Sequence, residues 1–260
     1  MNIRMLKIIF LLLFSVNCVL LYGENLDFQE LRSDHFLIHY APQALDSIYK
    51  IRDDAEYCYR MITQEFGLTQ ANLWAWENRA NIFLAKDRQD YLSKFNCPSW
   101  SEACVNYFRR IIYTYPAQEN FKSVLLHELT HIIFREYIGF QNLPLWVDEG
   151  MATYISSRGS YEEQIFVAAT KQLISTNKYI PFSRINNIYS LDGSIDTAVF
   201  YNQAFSIIYL LRKRFGSENF AQFLSYLKGG SDIESAIRKA FGGIENIKSL
   251  EEVWKRFYLL

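Results

Sequence analysis

The sequence contains few residues that interrupt or cross-link a chain, with five prolines and four cysteines among 260 residues. It has no internal repeat and no low-complexity tract, so it does not predict a solenoid or a disordered linker. Lysine and arginine together number 27 against 28 acidic residues. Because there is no basic excess, we expect no nucleic-acid partner. Half of the residues are hydrophobic, which is enough for a globular fold with a large buried core.

The hydrophobic run near the N-terminus, Ile8–Tyr22, is too short for an ordinary membrane span. Its fifteen residues would form a helix of roughly 22 Å against a hydrocarbon core of ~30 Å. Arg4 and Lys7 precede the run and Gly23 follows it, which is typical of an export signal. An uncleaved membrane anchor and a lipid on Cys18 stay open as alternatives. We therefore expect an exported protein that is periplasmic, secreted or attached to the cell envelope through its N-terminus.

Three further cysteines follow the predicted signal. An exported protein meets oxidising conditions, in which Cys97 and Cys104 could close a short loop, and the sequence leaves this pairing open. Cys58 lies in a helical pattern between two tyrosines, and we expect it to be a small buried residue rather than a nucleophile.

The predicted elements change character along the chain. The N-terminal part contains short runs rich in Ile, Phe and Tyr, which favour strands, whereas residues from Phe121 onward have helical spacing. The predicted strands are His35–Ala41, Ala80–Ala85 and Arg110–Tyr115, and the predicted helices are Leu45–Phe66, Phe121–Tyr137, Leu145–Ser157, Tyr161–Thr176, Tyr201–Phe215, Glu218–Leu227, Asp232–Phe241 and Leu250–Leu259. Strands first and helices after predict an α+β fold. We expect the signal at residues 1–23 and one domain at 24–260, with a strand-rich N-terminal lobe at 24–140 and a helical lobe at 141–260.

The segment His127-Glu128-Leu129-Thr130-His131 is the main candidate for chemistry. Two histidines four apart on a helix share one face, about 6 Å apart, so their imidazoles can bind one Zn²⁺. Glu128, directly after the first histidine, is suited to taking a proton from a water molecule at the metal. His35 and His39 are also four apart, but in a predicted strand this spacing separates them by about 13 Å, and we expect no shared ion there.

Two histidines leave a zinc site short of one protein ligand. The next predicted helix offers Glu149, after 17 intervening residues that allow the end of one helix, a turn and an antiparallel return. Gly150 would permit close approach of another helix. Asp148 is the alternative third ligand, one residue away and about 100° round the helix.

These two motifs, His-Glu-Leu-Thr-His and Leu-Pro-Leu-Trp-Val-Asp-Glu-Gly-Met-Ala-Thr-Tyr, resemble those of the gluzincins, specifically the peptidase MA-like branch of the thermolysin-type superfamily. The resemblance implies a zincin-like fold with the zinc site between a strand-rich N-terminal lobe and a helical C-terminal lobe. It implies that His127, His131 and Glu149 bind Zn²⁺ and that Glu128 is the general base. Thr153 departs from the family pattern, because thermolysin relatives have an aspartate there that orients a zinc-bound histidine.

The family resemblance also suggests how substrate is held. Its members often stabilise the oxyanion with a tyrosine or histidine of the helical lobe, and Tyr201 is our candidate for that role. A strand within Ala103–Tyr115 could present its edge to an extended peptide, with Asn106 and Tyr107 as candidate contacts. The Gly-x-Met-Glu-Asn motif of one aminopeptidase branch is absent.

The sequence therefore predicts a zinc metallopeptidase of the HExxH-plus-Glu type, a hydrolase acting on a peptide or protein substrate. Two alternatives stay open. One is an exported envelope or binding protein with a non-catalytic metallopeptidase-like fold, and the other is a zinc hydrolase that cleaves a bond other than a peptide bond.

Overall fold

A computed structural model describes residues 28–68, 74–99, 101–116 and 120–259. The chain divides into two compact units, one containing the described residues up to Ile62 and those from Trp74 to Ile132, the other containing Thr63–Leu68 and Ile133 onward. The boundary between the two falls within two long helices, α1 (Leu45–Phe66) and α3 (Phe121–Tyr137). The predicted export signal lies outside the described residues.

The first unit is built on a five-stranded mixed sheet. In spatial order its strands are β1 (Gln29–Arg32), β2 (Phe36–Tyr40), β3 (Ala80–Leu84), β5 (Ile111–Thr114) and β4 (Ala103–Asn106). The three central strands are parallel, and both edge strands pair antiparallel to their neighbours. β2 and β3 alternate buried and half-buried residues, whereas every residue of β5 is buried. The core therefore lies on both faces of β5.

Three helices alternate with the strands along the chain: α1 (Leu45–Phe66), α2 (Arg88–Lys94) and α3 (Phe121–Tyr137). α2 is short and begins at Asp87, whose side chain accepts a hydrogen bond from the backbone N–H of Asp90. The segment between α2 and β4 is closed by a disulfide bond between Cys97 and Cys104. Arg88 donates from its guanidinium to two backbone carbonyls of the same segment, those of Ser99 and Ser101. The disulfide bond and Arg88 thus tie the described residues of this segment to β4 and α2.

The second unit is helical. Its helices are α4 (Leu145–Ser157), α5 (Tyr161–Ser175), α6 (Phe182–Ile185), α7 (Thr197–Lys228), α8 (Ile233–Ala240) and α9 (Ile247–Leu259). α4 is its central helix, because every residue except Ser156 is buried. α7 packs along α4, and α5, α8 and α9 pack on α7. α7 is broken at Gly216, where φ is 81° and the helix restarts.

The structure confirms the predicted α+β class, and α1, α3 and α4 have the predicted bounds. Four short elements were not predicted, namely β1, β4, α2 and α6. The two helices predicted on either side of Gly216 are confirmed as the two segments of α7, and the first begins at Thr197 rather than at Tyr201. Within the described residues, no helix has the length and hydrophobicity that a membrane span requires.

Candidate metal centre

His127 and His131 project from the middle of α3. The helix is buried without interruption from Val124 to Phe134, so neighbouring residues surround the two imidazoles on all sides. Their ring centroids are 4.8 Å apart with the ring planes at 78°. The phenol ring of Tyr107 lies edge-on to His131, with 6.2 Å between the ring centroids. Packing therefore limits the orientations of both rings, which a metal site requires.

Glu149 meets the two histidines. The three residues each offer one ligand atom, and these atoms lie within 4.8 Å of one another. All three are buried, with exposed fractions of 7% for His127, 1% for His131 and 0% for Glu149. The structure thus brings together the three residues that the sequence predicted as ligands.

The donor set of this cluster fits Zn²⁺. Two imidazole nitrogens and one carboxylate oxygen are the protein ligands of a known class of catalytic zinc site, which keeps its fourth position for water or substrate. Ligand atoms ~2.0–2.2 Å from a shared tetrahedral metal are roughly 3.3–3.6 Å apart. The observed limit of 4.8 Å means that only a small contraction is needed on binding. Burying one carboxylate with two neutral imidazoles is also less costly when a cation is bound.

Asp148, the alternative third ligand, has a different partner. Both Nε and an Nη of Arg135 lie 2.7 Å from one of its carboxylate oxygens. Asp148 and Glu149 are neighbours on α4 but point to different groups, as their separation of about 100° round the helix requires. The structure therefore favours Glu149 over Asp148 as the ligand.

α7 fixes the position of α4 next to Glu149. A Cβ added to Gly150 would lie 2.5 Å from the backbone oxygen of Ala204 and 2.7 Å from a side-chain carbon of Ile208, so only glycine permits this approach. Tyr201 lies one helical turn before Ala204 on the same face of α7, and it is buried, with 4% exposure. The predicted oxyanion residue thus lies on α7, the helix that packs along α4.

Glu128 is buried with 3% exposure beside its histidine neighbour. The pKa of Tyr91 is raised mainly by burial. The negative charge of Glu128 also raises it. Tyr91 in turn shares a hydrogen bond of 2.8 Å with the hydroxyl of Ser101. The candidate general base therefore lies within electrostatic reach of a polar pair in the first unit.

Thr153 occupies the position at which the family pattern has an aspartate. It is 6% exposed, and its hydroxyl has no hydrogen-bond partner among the described parts of the chain. It therefore does not replace the carboxylate that orients a histidine in thermolysin relatives. The other histidines have structural partners, since His35 binds Glu56 at 2.6 Å and His39 binds Asn81 at 2.8 Å.

Two groups that hold α4 in place were not identified from the sequence. Arg135 is one, because its position in the sequence does not show that its side chain reaches Asp148. Glu65 is the other, because it accepts hydrogen bonds from Tyr154 at 3.0 Å and from Arg158 at 2.6 Å. The spacing of Arg135 four residues after His131 was the available signal, since it places both residues on one face of α3.

Comparison with known proteins gives a consistent picture. The model of the family described as "Peptidase MA superfamily" matches residues 98–259. No curated protein matches the sequence significantly. Among solved structures, an M1 zinc metallopeptidase from Deinococcus radiodurans matches with a TM-score of 0.52 and 18% identity, over 89% of this chain and 51% of that one.

A mutant form of the Deinococcus radiodurans enzyme matches with a TM-score of 0.53 and 19% identity, over 87% of this chain and 50% of that one. A two-domain M1 zinc metallopeptidase mutant bound to L-arginine matches with a TM-score of 0.53 and 16% identity, over 88% of this chain and 51% of that one. The chain thus spans about half the length of these structures. At these identities the likeness shows the fold, and the zincin-like architecture is confirmed.

Proposed function

Because the chain belongs to the peptidase MA superfamily, we propose that it is a zinc-dependent peptidase whose metal is held by His127, His131 and Glu149. The observation that carries this proposal is the meeting of these three ligand atoms within 4.8 Å. The zinc metallopeptidases that share its fold support zinc as the metal and peptides as the substrate class.

In this proposal Glu128 is the general base and then the general acid. Zinc, when bound, supplies Lewis-acid activation of the water and of the peptide carbonyl. The Glu128 carboxylate takes a proton from the attacking water as the new C–O bond forms. It then gives that proton to the amine nitrogen as the C–N bond breaks, so that one water and one peptide bond yield a carboxylic acid and an amine, which ionise in solution. His127, His131 and Glu149 keep their positions throughout.

Tyr201 would donate a hydrogen bond from its hydroxyl to the oxyanion of the tetrahedral intermediate. Its place on the face of α7 that contacts Gly150 supports this role. Removing one oxyanion donor costs about 10²–10³ in kcat, so Tyr201→Phe should lower kcat by this factor with KM and zinc content unchanged. Tyr209→Phe, a matched change on the same helix, should leave kcat unchanged. Equal kcat values for the two variants would exclude Tyr201 from this role.

The test of the central proposal separates metal binding from catalysis. The purified protein should contain one zinc per chain and cleave a generic peptide library, and a chelator should block cleavage until zinc is restored. Glu128→Gln should abolish cleavage while zinc content persists, whereas His131→Ala should lose the zinc. Glu136→Gln, on the same helix, is the matched control and should retain activity. Full cleavage by Glu128→Gln would rule out the proposed base.

The non-catalytic alternative is not favoured, because a purely structural zinc has no use for a buried carboxylate such as Glu128 beside its ligands. The cleavage assay tests it directly, since a binding protein of this fold would hold zinc and hydrolyse nothing. The same assay, repeated with ester and amide substrates, tests the zinc hydrolase that acts on another bond.

We also propose export, on the basis of the sequence of the first 23 residues alone. The measurement is the N-terminal sequence and mass of the protein recovered from the producing cell. Cleavage near Gly23 would support a signal peptide, whereas an intact N-terminus in the membrane fraction would indicate attachment. A full-length protein in the cytoplasm would contradict export.

A further inference from the structure

One ion pair joins the two helices that carry the candidate ligands. The guanidinium of Arg135, on α3, places Nε and Nη each 2.7 Å from the same carboxylate oxygen of Asp148, on α4. The Asp148 side chain is 8% exposed, and that of Arg135 is 31% exposed. A forked, charge-assisted contact to a buried carboxylate fixes direction as well as distance. The pair therefore restrains the first turn of α4 relative to the last turn of α3.

The spacing along both helices links this pair to the metal centre. His127, His131 and Arg135 follow one another at intervals of four residues, so they lie along one face of α3. Two consecutive residues of α4 meet this face of α3. Asp148 pairs with Arg135, and Glu149 lies beside the two histidines. Consecutive residues of one helix move together, so a displacement of Asp148 also displaces Glu149.

Arg135 also fixes the connection between the helices. Its backbone carbonyl accepts a hydrogen bond of 2.9 Å from the N–H of Phe140, just after the end of α3. Gly139 and Phe140 both have left-handed backbone conformations, with φ of 71° and 57°, which turn the chain toward α4. The same residue therefore holds the turn with its backbone and the returning helix with its side chain.

We propose that Arg135 is a positioning residue for the zinc site, acting through Asp148 to hold Glu149 at the distance that the metal requires. This inference rests on the proposed zinc-binding function. Metal–ligand distances tolerate only about 0.2 Å, so a small movement of α4 is enough to weaken binding. Arg135 does not touch the metal in this account, and its effect is mechanical.

Electrostatics gives the opposite expectation, which makes the inference testable. Arg135 is a cation near a site for a dication, so removing its charge should strengthen zinc binding if only through-space repulsion counts. Positioning predicts that the same change weakens zinc binding. Asp148→Asn is less informative, because loss of its negative charge weakens zinc binding in both accounts.

The experiment measures the zinc Kd of the folded full-length protein by competition with a chromophoric chelator. Arg135→Met should bind zinc about tenfold more weakly or worse, the range seen when groups that orient metal ligands are removed. Arg135→Lys should fall between wild type and Arg135→Met, because it keeps the charge but loses the fork. Excess zinc should restore the kcat of Arg135→Met with KM unchanged.

Arg158→Met is the matched control. Arg158 follows the last residue of α4 and pairs with Glu65 at 2.6 Å, with a comparable exposure of 40% and 10% for the two side chains. Its loss removes an ion pair from the other end of α4, and its zinc Kd should stay within about twofold of wild type because Arg158 lies nine residues beyond Glu149, roughly 13 Å along the helix. Both variants are compared with wild type by circular dichroism and thermal unfolding.

Three results would overturn the inference: zinc binding by Arg135→Met as tight as wild type or tighter, an equal loss of affinity in Arg158→Met, or a raised KM with an unchanged zinc Kd. The last would mean that Arg135 contacts substrate. A wild-type protein that binds no zinc would overturn the proposed function together with this inference. Wild-type zinc binding that Arg135→Met leaves unchanged would overturn the inference alone.

Discussion

The contact between α4 and α7 at Gly150 gives the most quantitative prediction. In Gly150→Ala the new methyl group would lie 2.5 Å from the backbone oxygen of Ala204 and 2.7 Å from a side-chain carbon of Ile208. Ordinary carbon–oxygen contacts are about 0.8 Å longer than the first distance. Because a backbone oxygen cannot rotate away, the two helices must separate locally by a similar amount.

The expected loss of stability has two opposing terms. Overpacking a core typically costs about 1–3 kcal/mol, and the contact with backbone places this site at the upper end. Alanine gains about 1 kcal/mol over glycine in helix propensity. The net loss in the free energy of unfolding should therefore be about 1–2 kcal/mol, with a fall in Tm of roughly 2–4 °C for each kcal/mol.

The effect on zinc should be larger than the effect on stability. Glu149 directly precedes Gly150, and a movement near 0.8 Å exceeds the tolerance of about 0.2 Å in metal–ligand distances. We expect Gly150→Ala to bind zinc at least about tenfold more weakly than wild type, measured by chelator competition on protein shown to be folded.

Gly242→Ala is the matched control for this prediction. Nothing lies within 4 Å of a Cβ built there, and the backbone of Gly242 is not in the left-handed region. Its stability and zinc affinity should equal those of wild type. Wild-type stability and wild-type zinc affinity in Gly150→Ala would refute the close contact between α4 and α7 and the reasoning built on it.

Four further predictions concern other buried groups. Thr153→Val should change the free energy of unfolding by less than about 1 kcal/mol, since the hydroxyl of Thr153 is unbonded within the described residues. Thr170→Val should cost more in the same denaturation assay, because it loses the hydroxyl that donates to the neighbouring oxygens of Phe166 and Asn202, at 2.8 and 2.9 Å. Burial opposes ionisation of Glu56, but hydrogen bonds from His35 and neighbouring groups outweigh it and hold its pKa below the usual 4.5. The stability that Glu56 contributes is therefore present above pH 4.5 and lost as pH falls through its folded pKa. Glu56→Gln should flatten this part of the pH dependence of the free energy of unfolding. An unchanged pH dependence would contradict the prediction. Burial raises the pKa of the Cys58 thiol to about 12, so mass mapping at pH 8 should find it unlabelled by a thiol reagent until the protein unfolds.

Long, strongly patterned elements were predictable from the sequence. α1 has periodic hydrophobic residues and is followed by Gly67, and α3 is followed closely by Gly139; the bounds of both helices, and of α4, agree with the structure. Elements that depend on local side-chain contacts were not predictable. β1 is mostly exposed and polar, so it has no hydrophobic alternation to reveal it. α2 has seven residues and depends on its Asp87 cap, which a search for periodicity does not detect.

Gly216 was informative in the sequence. A glycine with positive φ usually ends a helix, and the sequence therefore predicted separate helices on either side of it. In the structure the backbone at Gly216 is non-helical, with φ of 81°, and a helical segment of α7 lies on each side of it. The first segment begins at Thr197, four residues before the predicted start at Tyr201, because the side chain of Asp196 accepts hydrogen bonds from the backbone N–H groups of Ala198 and Val199. Hydrophobic spacing does not reveal such a local cap.

The candidate cluster of His127, His131 and Glu149 was largely predictable, because spacing along a helix determines which residues share a face. Two histidines four apart on a helix must share a face, and the family resemblance supplied Glu149. The choice between Asp148 and Glu149 needed the structure, because both residues belong to the same turn of α4. It is the arginine at position 135, far from Asp148 in the sequence, that distinguishes them. Such non-local pairs leave no periodic signal.

The most direct test of the zinc site is a crystal structure of the zinc-loaded protein with anomalous data collected on both sides of the zinc absorption edge. We predict one anomalous peak per chain, about 2.0–2.2 Å from a nitrogen of His127, a nitrogen of His131 and a carboxylate oxygen of Glu149. A zinc peak bound elsewhere, or a Glu149 carboxylate turned away from the two imidazoles in the loaded protein, would contradict the account.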